Sequence, residues 1–142
     1  MSVYQIVMDT NVFVSALRSR QGASYRLLSL IDSGKFEINI SIPLVVEYED
    51  VAKRLLDDLA LTSTDIDDIL DYICKVGNHR EVYYLWRPFL KDAKDDMVLE
   101  LAMVSNADFI VTYNESDFRG VEAFGIRVLT AKAFLQEIGE IS

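Results

Sequence analysis

The sequence predicts an α/β sandwich built around a mostly parallel sheet. Short continuous apolar runs, Val3-Tyr-Gln-Ile-Val-Met8 and Phe109-Ile-Val111, have the length and character of strands buried on both faces. Strand-like and helix-like segments alternate along the chain, the order expected of parallel strands joined by helical crossovers. A third observation is chemical. Four apolar runs end, open or are interrupted at an acid: Asp9 follows Met8, Glu47 lies inside Ile42–Tyr48, Asp96 opens Met97–Val104, and Asp117 follows Val111 by a short loop. Ligands in such sheets bind at the carboxyl ends of the strands, so Asp9 and Asp117 fall where chemistry is expected.

Taken in order, a strand over 3–8 leads into Asn11–Leu17, a short helix or turn. A loop around Ser19–Gln21 precedes a helix from about Ser24, whose Tyr25, Leu27, Leu28, Leu30 and Ile31 form an apolar face and whose C-terminal cap is Gly34. Phe36–Ile40 alternates as a half-buried strand does. Ser41 is a good N-cap, and Pro43 sits in the first turn, where proline is tolerated. A helix follows over 62–73 with Ser63 or Thr64 as cap. Its Asp65, Asp67 and Asp68 favour the helix dipole and need no catalytic explanation. Val82–Trp86 is a strand or extended segment ended by Pro88. Residues 97–104 are nearly apolar all round, as in a central helix. Strands over 108–111 and 126–129, punctuated by Gly120 and Gly125, and a helix over about 131–138 complete the chain.

At 142 residues the chain is expected to form one domain, spanning 1–142, with a core that needs no staples. One cysteine, Cys74, excludes an intramolecular disulfide and a Cys-based zinc site, and the single His79 argues against a His-metal cluster or a Ser-His-Asp triad. No stretch has the length of a membrane span and the N-terminus lacks a signal pattern, so a soluble, cytoplasmic protein is expected. The net charge of −9 opposes simple nucleic-acid binding, which uses a basic patch. Bound metal would reverse that locally. Arg18, Arg20, Arg26, Lys53 and Arg54 are candidates for a basic rim, or scattered solubilising charges.

Each acid also has a plainer explanation. Asp9 suits a helix N-cap, Glu47 the exposed side of an amphipathic helix, and Asp117, like Asn114, a turn. Asp96 shares a helix stripe with Glu100, while Asp92 and Asp95 compete with it for the capping and ligand roles. Together the acids suit a cluster of hard oxygen donors for a divalent cation, with metal-assisted phosphodiester hydrolysis as the chemistry.

The same residues resemble the PIN domain family. The matching segments are Ile6–Leu17 with Asp9, Asn11 and Ser15; Ser41–Val51 with Glu47; Lys91–Ala102 with Asp96; Ala107–Phe118 with Thr112 and Asp117; and the closing Leu129–Leu135. The resemblance implies a three-layer fold with a central sheet of about five strands. It implies an Mg²⁺- or Mn²⁺-dependent ribonuclease acting on RNA, commonly the toxin of a toxin–antitoxin pair, with Asp9, Glu47, Asp96 and Asp117 as catalytic and metal residues. Asn11, Ser15, Thr112 and Asn114 match supporting polar positions. Many members have glycine and aspartate where this chain has Tyr113 and Asn114, which weakens a second metal position. A homodimer and an antitoxin protein are the implied partners, and the aromatic segment 82–89 is the candidate interface. A phosphotransfer domain using Asp9 as nucleophile fits less well, because position 11 is Asn and no lysine directly follows a later strand. A non-catalytic interaction module of the same fold is the third alternative.

Overall fold

The computed structural model describes residues 3–82 and 89–142. Five parallel strands, β1 (Tyr4–Met8), β2 (Phe36–Ile40), β3 (Asn78–His79), β4 (Phe109–Val111) and β5 (Arg127–Leu129), lie in the order β3-β2-β1-β4-β5. Among the described residues the expected "mostly parallel" sheet is therefore wholly parallel. Six α-helices accompany it among the described residues: α1 (Thr10–Arg18), α2 (Ala23–Ser29), α3 (Ile42–Arg54), α4 (Ser63–Val76), α5 (Ala93–Val104) and α6 (Ala131–Glu137).

The topology itself creates a crevice. From β1 the chain steps outward to β2 and β3, then returns to the other side of β1 for β4 and β5. The reversal lies between β1 and β4, so their carboxyl ends diverge from the connections on both sides, and ligands bind at such points.

One face of the sheet is filled by aromatic rings. Phe134 of α6 meets Tyr4, Phe36 and Phe109 edge-on, with centroids at 6.4, 5.3 and 5.3 Å. The other face carries a polar ladder at its β1–β2–β3 side. Asn39, fully buried, donates to Gln5 Oε1 and to the Ile6 carbonyl and accepts from Arg80 Nε. Each buried polar atom there has a partner, which is what makes the ladder tolerable in a sheet interior.

Several element ends differ from the expectation. The second helix stops at Ser29, and Gly34, at φ +82°, turns the chain into β2 instead of capping the helix. The cap of α4 is Thr62, not Ser63 or Thr64, because Asp65 at its third position returns a side-chain bond and completes a capping box. The central helix α5 starts at Ala93, four residues before its apolar run, under an Asp92 cap. Two 3₁₀ turns, Glu115–Phe118 and Val121–Phe124, fill the connection from β4 to β5. The strand expected at Val82–Trp86 lies mostly outside the described residues, as do Tyr83, Tyr84, Leu85 and Trp86 of the proposed interface. The strand beside β2 is instead Asn78–His79.

Candidate functional site

Asp9 is the first residue beyond β1, and its surroundings hold it firmly. Its N–H donates to the Val111 carbonyl at 2.9 Å, so β1 and β4 are tied together where the crevice opens. It caps α1, one carboxylate oxygen accepting the Thr10 N–H at 2.8 Å. The other oxygen accepts the Thr112 hydroxyl, also at 2.8 Å. That hydroxyl in turn accepts from Asn11 Nδ2 at 3.2 Å and from the Asn114 N–H at 3.1 Å. Asn11 Oδ1 accepts the Tyr113 N–H, closing the ring of bonds between α1 and the end of β4. Asp9 is thus a cap and a held carboxylate at once. Thr112→Val removes the donor to Asp9 and strands two N–H groups that pointed at the hydroxyl. We expect it to cost about 1–3 kcal/mol, read from denaturant midpoints, with unchanged stability counting against the ring.

The next acid comes from α3. Tyr48, buried and stacked on Phe13 at 4.7 Å, donates its hydroxyl to the Met8 carbonyl, which pins this helix beneath the end of β1. The preceding residue, Glu47, then lines the crevice, where its carboxylate meets Lys94 Nζ at 3.2 Å. Burial, aided by the charge of Asp9, pushes the Tyr48 phenol well above its ordinary range, so it remains a proton donor at neutral pH.

The crevice has a volume of about 490 Å³ and gathers Asp9, Glu47, Asp95 and Asp117, with Asn11, Ser15 and Asn114 also on its wall. Asp96 is not among the lining residues. Its Oδ1 accepts the N–H groups of Phe89 and Leu90 at 3.2 and 2.8 Å, and the residue is buried. Successive residues of an α-helix point about 100° apart, so with Asp96 turned to the segment entering α5, Asp95 faces the crevice. Asp92 caps the same helix through Lys94 N–H and borders the crevice too. Asp96, expected with the other three acids, is thus bonded outside the crevice lining, and its neighbour Asp95 stands there. Of the expected rim, Arg18 lines the crevice, while Arg26, Lys53 and Arg54 pair with acids elsewhere. Lys94 went unnoticed in the sequence because nothing local shows that α5 delivers it to Glu47.

The electrostatics show a shortage of positive charge. Burial raises the Asp9 carboxyl above its usual range against the opposing bonds from Thr112 and Thr10, and the charges of Asp117 and Glu47 raise it further. Asp95 is pushed up to about 6 by burial and by the charges of Asp9, Asp117, Asp92 and Asp96. The donors are all oxygens, which suits a hard divalent cation. No three His, Cys, Asp or Glu side chains among the described residues form a ready-made cage. The arrangement therefore suits a cation that binds one or two carboxylates and keeps several waters, as magnesium does.

A wholly parallel five-stranded sheet with carboxylates gathered at its switch point defines an acidic-site α/β protein. A PIN domain family model matches residues 5–116, and the chain belongs to that family. PIN domains are generally nucleases that depend on a divalent metal. Among solved structures, the chain is similar to one described as the crystal structure of VapBC2 from Rickettsia felis bound to a DNA fragment from their promoter. The TM-score is 0.61 at 15% identity, covering 87% of this chain and 98% of that one, a likeness of fold. No curated protein matches the sequence. No helix among the described residues is long and apolar enough to cross a membrane.

Proposed function

We propose that this protein is a metal-dependent endoribonuclease that hydrolyses RNA phosphodiester bonds, and that it serves as the toxin of a toxin–antitoxin pair. The observation that carries the reading is the meeting of Asp9, Glu47, Asp95 and Asp117 at one crevice, two of them with raised proton affinity. In this reading Mg²⁺ or Mn²⁺ would take one or two of the carboxylates of Asp9, Asp95, Asp117 and Glu47 as direct ligands and meet the others through its waters, Lys94 being displaced from Glu47. When bound, the metal supplies Lewis acidity at a phosphoryl oxygen and an acidified water. Thr112 and Asn11 fix the Asp9 carboxylate, and Ser15 and Asn114 offer polar contacts to substrate or water. Arg18 at the rim attracts the phosphate backbone.

The reading carries a homodimer and a cytoplasmic location as further expectations, together with an inhibitory partner whose arginine would pair with these carboxylates. The deciding experiment is cleavage of single-stranded RNA with Mn²⁺, Mg²⁺ or EDTA. Wild-type protein should cleave with either metal and not with EDTA, and Asp9→Asn should lose at least about a hundredfold in rate. Cleavage that survives EDTA, or persists undiminished in Asp9→Asn, would overturn the proposal.

A further inference from the structure

Beside the acidic crevice lies a second cavity of about 570 Å³. The two share Asp92, Asp95 and Asp117, and the second adds Phe89, Lys91, Ser116 and Arg119. Two of its lining residues, Lys91 and Arg119, are cations. Arg26, Lys35, Lys53, Arg54, Lys94 and Arg127 all stand within ion-pair distance of a carboxylate. Lys91 and Arg119 have no such partner among the described residues, although three acids line the same cavity.

Phe89 lines the same cavity. It is 49% exposed, yet it is held in place. Its ring packs edge-on with Phe124 at 5.1 Å and lies over Gly120, where a Cβ would approach a ring carbon to 3.2 Å. Gly120 also has φ +93°, so the seat suits glycine on two counts. The Phe89 N–H is bonded to Asp96, which gives that buried acid a positioning role. A fixed, half-exposed ring beside two unpaired cations is what a nucleotide requires: a stacking surface for the base and positive charge for the phosphate.

We infer that this second cavity is a nucleotide subsite, taking the base next to the scissile phosphate on Phe89 and the adjoining phosphate on Lys91 and Arg119. The inference rests on the ribonuclease reading only for which phosphate is cleaved, since it is argued from the ring and the cations and not from the acids that share the cavity. A duplex keeps its bases stacked inside, so Phe89 favours a single strand.

The test compares a labelled short oligoadenylate, its deoxy counterpart, and the oligoadenylate annealed to oligouridylate. Binding is followed by anisotropy in an Asp9→Asn background, and cleavage kinetics in the wild-type background. Phe89→Leu, which keeps bulk and loses the ring, should raise Kd and KM for the single strand about tenfold with little change in kcat. Phe89→Trp should restore both, and duplex binding should be unaffected by either variant. Lys91→Met with Arg119→Met, which leaves the ring untouched, should flatten the salt dependence by about two phosphate contacts. Equal binding of the deoxy strand supports the subsite, because stacking does not read the sugar. Unchanged Kd and KM in Phe89→Leu overturn the subsite and leave the ribonuclease standing. Binding that depends on Phe89 without any cleavage by wild-type protein overturns the ribonuclease and leaves the subsite. Neither binding nor cleavage overturns both.

Discussion

Asp95→Asn is expected to abolish metal-dependent cleavage while leaving the fold intact, and the adjacent Asp96 is expected to behave in the opposite way. Asp95 lines the crevice with Asp9, Glu47 and Asp117, and burial and the charges of Asp9, Asp117, Asp92 and Asp96 raise its carboxyl. Neutralising it removes a proposed ligand and relieves repulsion, so the rate should fall at least about a hundredfold with no loss of melting temperature. Asp96 is buried against the N–H groups of Phe89 and Leu90. Asp96→Ala leaves both without an acceptor and should cost about 2–3 kcal/mol, whereas Asp96→Asn keeps an oxygen there and should recover most of it. Denaturant melts and cleavage rates on the same three proteins decide the matter. If Asp96→Asn loses as much activity as Asp95→Asn with stability preserved, the assignment of the two roles is wrong.

The second large effect is the joint dependence on metal and pH. The Asp95 carboxyl sits at about 6 in the folded protein against an ordinary 3.8, and Asp9 is displaced the same way. The folded state therefore binds these protons more tightly than the unfolded chain does. Stability falls as pH rises wherever the folded state holds more protons. For Asp95 the penalty is absent below about 4, grows through the window between, and is complete above about 6. Because Asp95 is partly exposed, solvent screening reduces the full value of about 1.4 kcal/mol per unit, leaving a penalty on the order of 1 kcal/mol. Metal-free protein should thus melt a few degrees higher at pH 5 than at pH 7. Metal binding has the opposite sign, since ligand carboxylates must be ionised and a cation bound only by the native state stabilises it. The upward shift from millimolar Mn²⁺ should be larger at pH 7 than at pH 5, and should shrink in Asp95→Asn. Melting curves at the two pH values, with EDTA or Mn²⁺, read both effects. A metal-free protein that is more stable at pH 7, together with a shift independent of pH, would contradict the acidic centre.

By itself the sequence determined the parts that depend on near neighbours. Ile6-Val-Met8 before Asp9, and Phe109-Ile-Val111 before Thr112, mark buried parallel strands with polar residues at their carboxyl ends, because burial on both faces demands an unbroken apolar run. Ser41 with Pro43 marks the start of α3, since a cap and a proline act within one turn. Such patterns also fixed the α/β class and drew attention to Asp9, Glu47 and Asp117. What only the tertiary structure decided is which side chains meet. Asp95 and Asp96 are equivalent in the sequence, and their phase was settled by the Asp92 cap and by the two N–H groups that claim Asp96. Lys94 reaches Glu47 because α5 packs beside α3, and Phe89 finds its seat on Gly120 across a gap of thirty-one positions, the difference between those two numbers. The order β3-β2-β1-β4-β5, which brings Asp9 beside Thr112, is equally invisible locally. Periodicity tells a side chain which face of its own element it occupies. Its partner on another element is chosen by how all the elements pack at once, and no window along the chain contains that information.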